Sequence, residues 1–143
     1  MGAGDVRVAT YVYTIDTPTN QRFVQAFRAK YGRDPGISAE STYVALAAIH
    51  QALKATGGNI EDKPKFLEAL RQMDLEAARG HIRFDHYQNV ITGVTINRIE
   101  KVGDQIVPVV VETIREVDQF LGMAPEEYLK NPRLVALKGT FGK

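Results

Sequence analysis

The chain has no cysteine and no tryptophan, and it lacks an excess of either charge: 18 Lys and Arg stand against 17 Asp and Glu, a formal net charge of +1. Without cysteine there is no disulfide, no thiolate zinc site and no cysteine nucleophile. That absence leaves the compartment open. A near-zero charge of interspersed sign provides no cluster of Lys and Arg for a phosphate backbone, so nucleic acid is not an expected partner. Long apolar runs are missing too. The densest, Tyr43 to Ile49, falls far short of the roughly 18–20 residues of a membrane span. The start, Met1-Gly2-Ala3-Gly4-Asp5, has neither a basic n-region nor an apolar h-region, so no secretion signal is read there. There is no internal repeat and no low-complexity segment.

What is present is enough for a core. The chain has 143 residues, 44% of them hydrophobic, and a chain of about 150 residues buries roughly 68–70% of its extended surface. Val6, Val8, Thr10, Val12 and Thr14 alternate through a β-rich stretch, which predicts a strand over 6–14. Asp16-Thr17-Pro18 then opens a helix in which Phe23, Ala26, Phe27, Lys30 and Tyr31 recur at helical spacing until Gly32. Asp34-Pro35-Gly36 is a turn signature and Ser38 offers a cap for the next helix. The core of that helix, residues 42–53, is apolar on almost every face, a pattern normally buried on all sides. Gly57-Gly58 ends it. Asp62-Lys63-Pro64 opens a third helix, with Phe66, Ala69, Leu70 and Met73 on one side.

From Gly80 the period changes to two. Residues 80–85 alternate, 86–89 form a polar turn, and 94–99 face 106–111 across Gly103-Asp104 as a hairpin. Pro108 cannot donate to a ladder, so its strand is expected at an edge or at a bulge. Residues 125–129 read as a short helix and 134–143 as a tail.

Catalytic patterns are weak. His50 lies in the apolar helix, His81 on a strand and His86 in a turn; none has helical metal spacing or stands near a nucleophile turn. His81, Asp85 and His86 make at best a feeble surface metal site, and solvated histidines explain them better. Glu61-Asp62, Glu126-Glu127 and the Glu112, Glu116 pair read as helix-start or solvated charges. Gly2-Ala3-Gly4 precedes a strand instead of following one, so it is no phosphate loop. No enzyme activity, cofactor or metal is expected.

The string Tyr11, Tyr13, Asp16-Thr17-Pro18, Asn20, Phe23-Val24, Ala26-Phe27, Lys30-Tyr31-Gly32 resembles a stretch of type I periplasmic solute-binding proteins. These are the branched-chain amino acid and amide (Leu/Ile/Val-binding protein-like) class of ABC importers. The later blocks are similar in the same order: Tyr43 and Ala45 through Gln51-Ala52-Leu53 and Gly57-Gly58, then Phe66-Leu67, Ala69-Leu70, then Gly80, Ile82, Phe84-Asp85. The ending, Gln119-Phe120 through Pro125 to Leu129, resembles members that handle aromatic or other organic acids.

The resemblance implies an α/β fold, the C-terminal portion of a two-lobed type I binding protein, with three helices, a strand and a β-hairpin. Residues 1–15 are expected as a strand of the second lobe and 16–90 as helices and a strand of the first. Residues 91–122 then form a hairpin returning to the second lobe, and 123–143 a tail. Crossings between lobes are expected near 14–17 and 89–93, where Gly93 can absorb rotation. The implied function is extracytoplasmic, periplasmic capture of a small amino acid-like or organic acid ligand between the lobes, for delivery to a membrane permease. Tyr11, Tyr13, Ser38, Glu40 and Ser41 are the candidate ligand-binding residues, because they fall at the first strand's end and at a helix N-terminus, which favours an anion. Asp16, Thr17 and Pro18 read as cap and hinge. The first lobe's own sheet is not in this sequence, so the isolated chain is expected to bind ligand weakly and to self-associate as a homo-oligomer. A ligand-sensing domain of a regulator or receptor with the same fold is the alternative.

Overall fold

The computed structural model describes residues 3–131. The alternating apolar stretch begins as a strand, β1 (Val6–Ala9), shorter than the 6–14 its composition predicts. The reason is a competing set of hydrogen bonds. Tyr11 turns inward, its ring meeting Phe23 edge-on at 6.2 Å and its hydroxyl donating to Asn20 Oδ1 at 3.0 Å. The Asn20 amide nitrogen then donates to the carbonyls of Tyr13 (2.9 Å) and Ile15 (2.7 Å). A buried side chain thereby satisfies backbone groups that a ladder would otherwise need, and the chain leaves the sheet.

Helix α1 (Pro18–Tyr31) starts as its sequence requires, with Pro18 in the first turn and Thr17 Oγ1 accepting from the Asn20 N–H at 3.1 Å. It ends on Gly32 at φ 65°, a left-handed position that glycine takes without strain. Helix α2 (Ile37–Ala55) begins earlier than its apolar core suggested: Gly36 is the cap, without a side-chain bond, and Ser38 lies inside the first turn instead of capping it. It stops just before Gly57 and Gly58. Asp62 Oδ1 caps α3 (Lys63–Arg71) by accepting from the Lys65 N–H.

Two antiparallel strands follow, β2 (Asp74–Ala77), which periodicity did not reveal, and β3 (Gly80–Phe84). Leu75, Ala77, Ile82 and Phe84 share one face and pack with Met73 on Val44 and Ala48 of α2. The opposite face carries Asp74, Glu76, His81 and Arg83. The expected hairpin is longer than its sequence core, β4 (Val90–Val102) paired with β5 (Gln105–Val117). β3 and β1 share one edge of β4, β3 pairing with 90–92 and β1 with 95–98, while β5 runs along the other edge. Pro108 lies on β5, which pairs with β4 alone among the described strands, as a residue without an N–H requires.

The register slips twice. Between Thr92 and Val94 on β4 stands one residue, Gly93, but between their partners Val117 and Ile114 stand two, Arg115 and Glu116; Val111 is a second extra residue of β5. Beyond β5, Gln119 donates to Asp85 Oδ2 at 2.7 Å, and Phe120 stacks edge-on with Tyr87 and Tyr128, holding the short α4 (Pro125–Tyr128) to the 85–89 turn. The tail expected over 134–143 lies outside the described residues.

Among the described residues one face of α2 is largely open: Leu46 and Ile49 are exposed, Leu46 at 61%, and Tyr43 is exposed beside its ring contact with Phe23. This is the helix whose sequence is apolar almost all round.

Candidate functional site

A cavity of about 770 Å³ opens where three parts of the chain meet. The segment Thr14–Thr17, between β1 and α1, forms one wall. The β2–β3 turn supplies Glu76, Arg79, Gly80 and His81, and the middle of the hairpin supplies Thr95, Val109, Val110, Thr113, Arg115 and Glu116. Folding dictates this composition. The polar face of the β2–β3 hairpin cannot lie against α2, which takes the apolar face, so its charges are left for the cavity. Thr14 Oγ1 donates across to the Pro108 carbonyl, fixing the 14–17 segment over β5.

Behind this cavity stands a buried ion pair. Glu40 is fully enclosed and Arg79 is 11% exposed. Arg79 Nε donates to Glu40 Oε1 (3.0 Å) and Oε2 (2.9 Å), and its Nη2 donates to Glu40 Oε2 and to Ser41 Oγ (2.7 Å). The pair fastens the first turn of α2 to the β2–β3 turn, and so sets where Arg79 enters the cavity wall.

The sequence-derived candidates separate into two groups. Glu40 and Ser41 come together on Arg79. Tyr11 is buried with its hydroxyl given to Asn20. Burial first, then the Glu40 and Asp34 carboxylates, push its phenol well above the ordinary value, with Arg79 pulling the other way. Tyr13 is half-buried; burial and Asp34 raise its phenol, opposed by Arg28, whose guanidinium lies 5.9 Å from the ring centre. Ser38 faces solvent, and its carbonyl accepts from Thr42 Oγ1 at 2.9 Å. None of the five lines the cavity; Arg79 connects Glu40 and Ser41 to it.

Helical or strand spacing gave no reason to single out Arg79, Glu76, Arg115 or Glu116, because each looks like a solvated charge until the turns bring them to one space. Alternation along β3 was the available signal, placing His81 opposite the apolar Ile82 face.

Chemically, the cavity presents hydroxyls, both signs of charge and the apolar Val109 and Val110 to a molecule of modest size. Among the described residues no group of three His, Asp or Glu side chains could hold a metal, and no helix is long and apolar enough to cross a membrane.

Comparison with known proteins places this geometry. Similar solved structures include an ABC transporter substrate-binding protein from Sphaerobacter thermophilus, 33% identical over 81% of this chain with a TM-score of 0.78. A solute-binding protein of an ABC transporter from Rhodopseudomonas palustris BisB5, in complex with 3,4-dihydroxybenzoic acid, is 26% identical over 81% of the chain with a TM-score of 0.76. A leucine-binding protein from Thermotoga maritima shares the fold at 22% identity, 79% coverage and a TM-score of 0.64. The chain spans about a third of the length of these structures, 32%, 32% and 31%. A search of curated proteins gives no match. The model of the family described as periplasmic binding protein matches residues 2–104, which takes in every element from β1 through β4 and all but the β5 wall of the cavity, so the chain belongs to the periplasmic binding protein family.

Proposed function

We propose that this chain is a C-terminal part of the extracytoplasmic solute-binding component of an ABC importer, and that it contributes to a cleft for a small amino acid-like or aromatic acid ligand. The observation that carries the reading is the cavity itself. It is formed where the 14–17 segment, the β2–β3 turn and the β4–β5 hairpin converge, in a chain whose family is a transport component and whose similar structures hold an aromatic acid or are named for leucine. A ligand leaving water needs its charges re-paired. Arg79, Arg115, the threonines and the acidic side chains offer both polarities for this, while Glu40 and Ser41 hold Arg79 from behind; Tyr11, Tyr13 and Ser38 stand away from the cavity.

The mechanism is closure. Residues 16–90, from α1 through β3, act as part of one lobe, and β1 with most of the β4–β5 hairpin as part of the other. A ligand touching both lobes favours the closed arrangement, which a membrane permease then recognises. With the remaining walls outside this chain, the 143 residues alone bind weakly. Their open α2 face and the edge of β1, where Val6 and Val8 are exposed, drive self-association into a homo-oligomer.

Isothermal titration with leucine and with 3,4-dihydroxybenzoate tests the function. Micromolar or tighter binding of one of them is expected for the longer protein that contains this chain, and little or none for the 143 residues. Absence of binding by that longer protein, for these and for related amino and aromatic acids, overturns the reading.

A further inference from the structure

The three strands that cross the middle of the sheet lose their regularity at one level. β1 ends at Ala9, which is paired with Thr95; β4 carries Gly93 two residues away; and β5 carries two residues, Arg115 and Glu116, opposite the single Gly93. Glu116 is in the left-handed region at φ 54°, a conformation that a side chain longer than that of Asn or Gly adopts only when something holds it. Gly93 has no side chain, and a Cβ there would make an ordinary contact with the Ile114 carbonyl at 3.5 Å. The ladder is therefore irregular at one level of the sheet, where a glycine and a bulge leave the fewest constraints on bending.

Side-chain contacts join the bulge to β3 at that level, one of them an ion pair with Arg83. From its bulge, Glu116 reaches β3: its Oε1 lies 3.6 Å from His81 Nδ1 and its Oε2 3.6 Å from Arg83 Nη2. On the far side of the ring, His81 Nε2 lies 2.7 Å from Asp74 Oδ1 on β2. His81 is thus set between two carboxylates, one from the hairpin and one from the neighbouring strand. Glu116, His81 and Glu76 also line the cavity.

We propose that Glu116, with Arg83 and His81, is an ionic latch across the bending line, which fixes the angle between the β2–β3 hairpin and the outer β4–β5 hairpin and so regulates opening of the cavity. This rests on the closure reading above. The positive-φ bulge gives the carboxylate its aim, and the latch contacts hold the bulge in turn. The contacts are long and partly exposed, so each is weak. Weakness suits the role, since a ligand has only modest energy with which to move the equilibrium.

Hydrogen exchange on the 143-residue chain without ligand tests the latch, comparing the native chain, Glu116→Gln, and the charge exchange Arg83→Glu with Glu116→Arg. In Glu116→Gln the amides of Thr92 and Val117 are expected to exchange about two- to tenfold faster while those of Val109 and Val110 are unchanged. The charge exchange is expected to restore protection, and 1 M salt to remove the difference between native and Glu116→Gln. Unchanged rates at Thr92 and Val117, a uniform rise along the whole hairpin, or failure of the charge exchange to restore protection overturns the proposal. Since no solute is added, the latch and the ligand-binding reading can fail separately.

Discussion

Breaking the buried Glu40–Arg79 pair should destabilise the chain more than the loss of any other charged side chain among the described residues. Glu40 is wholly enclosed and its partner Arg79 is 11% exposed, so neither reaches water freely. Taking away one member of such a pair leaves a charge desolvated and unpaired, at a cost of about 3–5 kcal/mol. In Glu40→Ala the stranded charge is Arg79, which keeps the Ser41 hydroxyl but only as an acceptor from one of its N–H groups. The lower end of the range, about 3 kcal/mol, therefore applies, and for a chain of this size it lowers Tm by roughly 10 °C. Arg79→Met strands Glu40, which has no solvent contact, and should cost more. Replacing both with Met removes the desolvated charges together and should bring stability back to within about 1 kcal/mol of the native chain. Urea unfolding followed by circular dichroism measures each difference as a shift in midpoint at constant slope. A Glu40→Ala cost below about 1 kcal/mol, or a double variant as unstable as Glu40→Ala, would refute the picture of a buried pair pinning α2 to the β2–β3 turn.

Asn20→Leu should cost about 2–4 kcal/mol in the same assay, since it removes the acceptor of buried Tyr11 and the donor to two partly buried carbonyls at about 1 kcal/mol each; a cost under 1 kcal/mol would show that the 11–15 segment holds itself. Stability should decline above pH 10, because the Tyr11 phenol, raised above 10.0 by burial and by Glu40, stays protonated in the folded chain while the unfolded chain loses its proton. The unfolded state then binds fewer protons and the slope with pH is negative; urea midpoints at pH 9 to 11.5 should show the decline weakened in Tyr11→Phe. Light scattering at micromolar concentration should find the chain associated, and Leu46→Glu with Ile49→Lys should shift it toward monomer without loss of helicity; a native chain that is cleanly monomeric counts against the apolar α2 face as the driving surface.

How far the sequence disclosed this fold depends on how local each determinant is. α1 and α3 were legible because Thr17-Pro18, Gly32 and Asp62-Lys63-Pro64 act within one turn of themselves. The β4–β5 hairpin was legible for the same reason, its alternation and the Gly103-Asp104 link lying in one short stretch. β2 was not. Asp74 to Ala77 has no strand composition of its own and becomes a strand because Gly80 to Phe84 can pair with it, while Leu75 and Ala77 find Val44 and Ala48 thirty residues away. The early end of β1 has a similar origin, in an asparagine on the next element that bonds carbonyls better placed off the sheet.

The site was less legible than the fold because its side chains are selected by exclusion. Arg79, His81 and Glu116 are brought to one space only after α2 claims the apolar face of β2 and β3, and after a bulge turns Glu116 toward β3. Their spacings, 79, 81 and 116, carry no periodic signature. What the sequence did carry was the apolar circumference of α2. In the described residues that helix spends one face on Val44 and Ala48 contacts and leaves Leu46 and Ile49 exposed, and the chain spans about a third of the solved structures that it resembles. A helix apolar on both sides, with one side exposed, has the pattern of a helix that a sheet covers on each face.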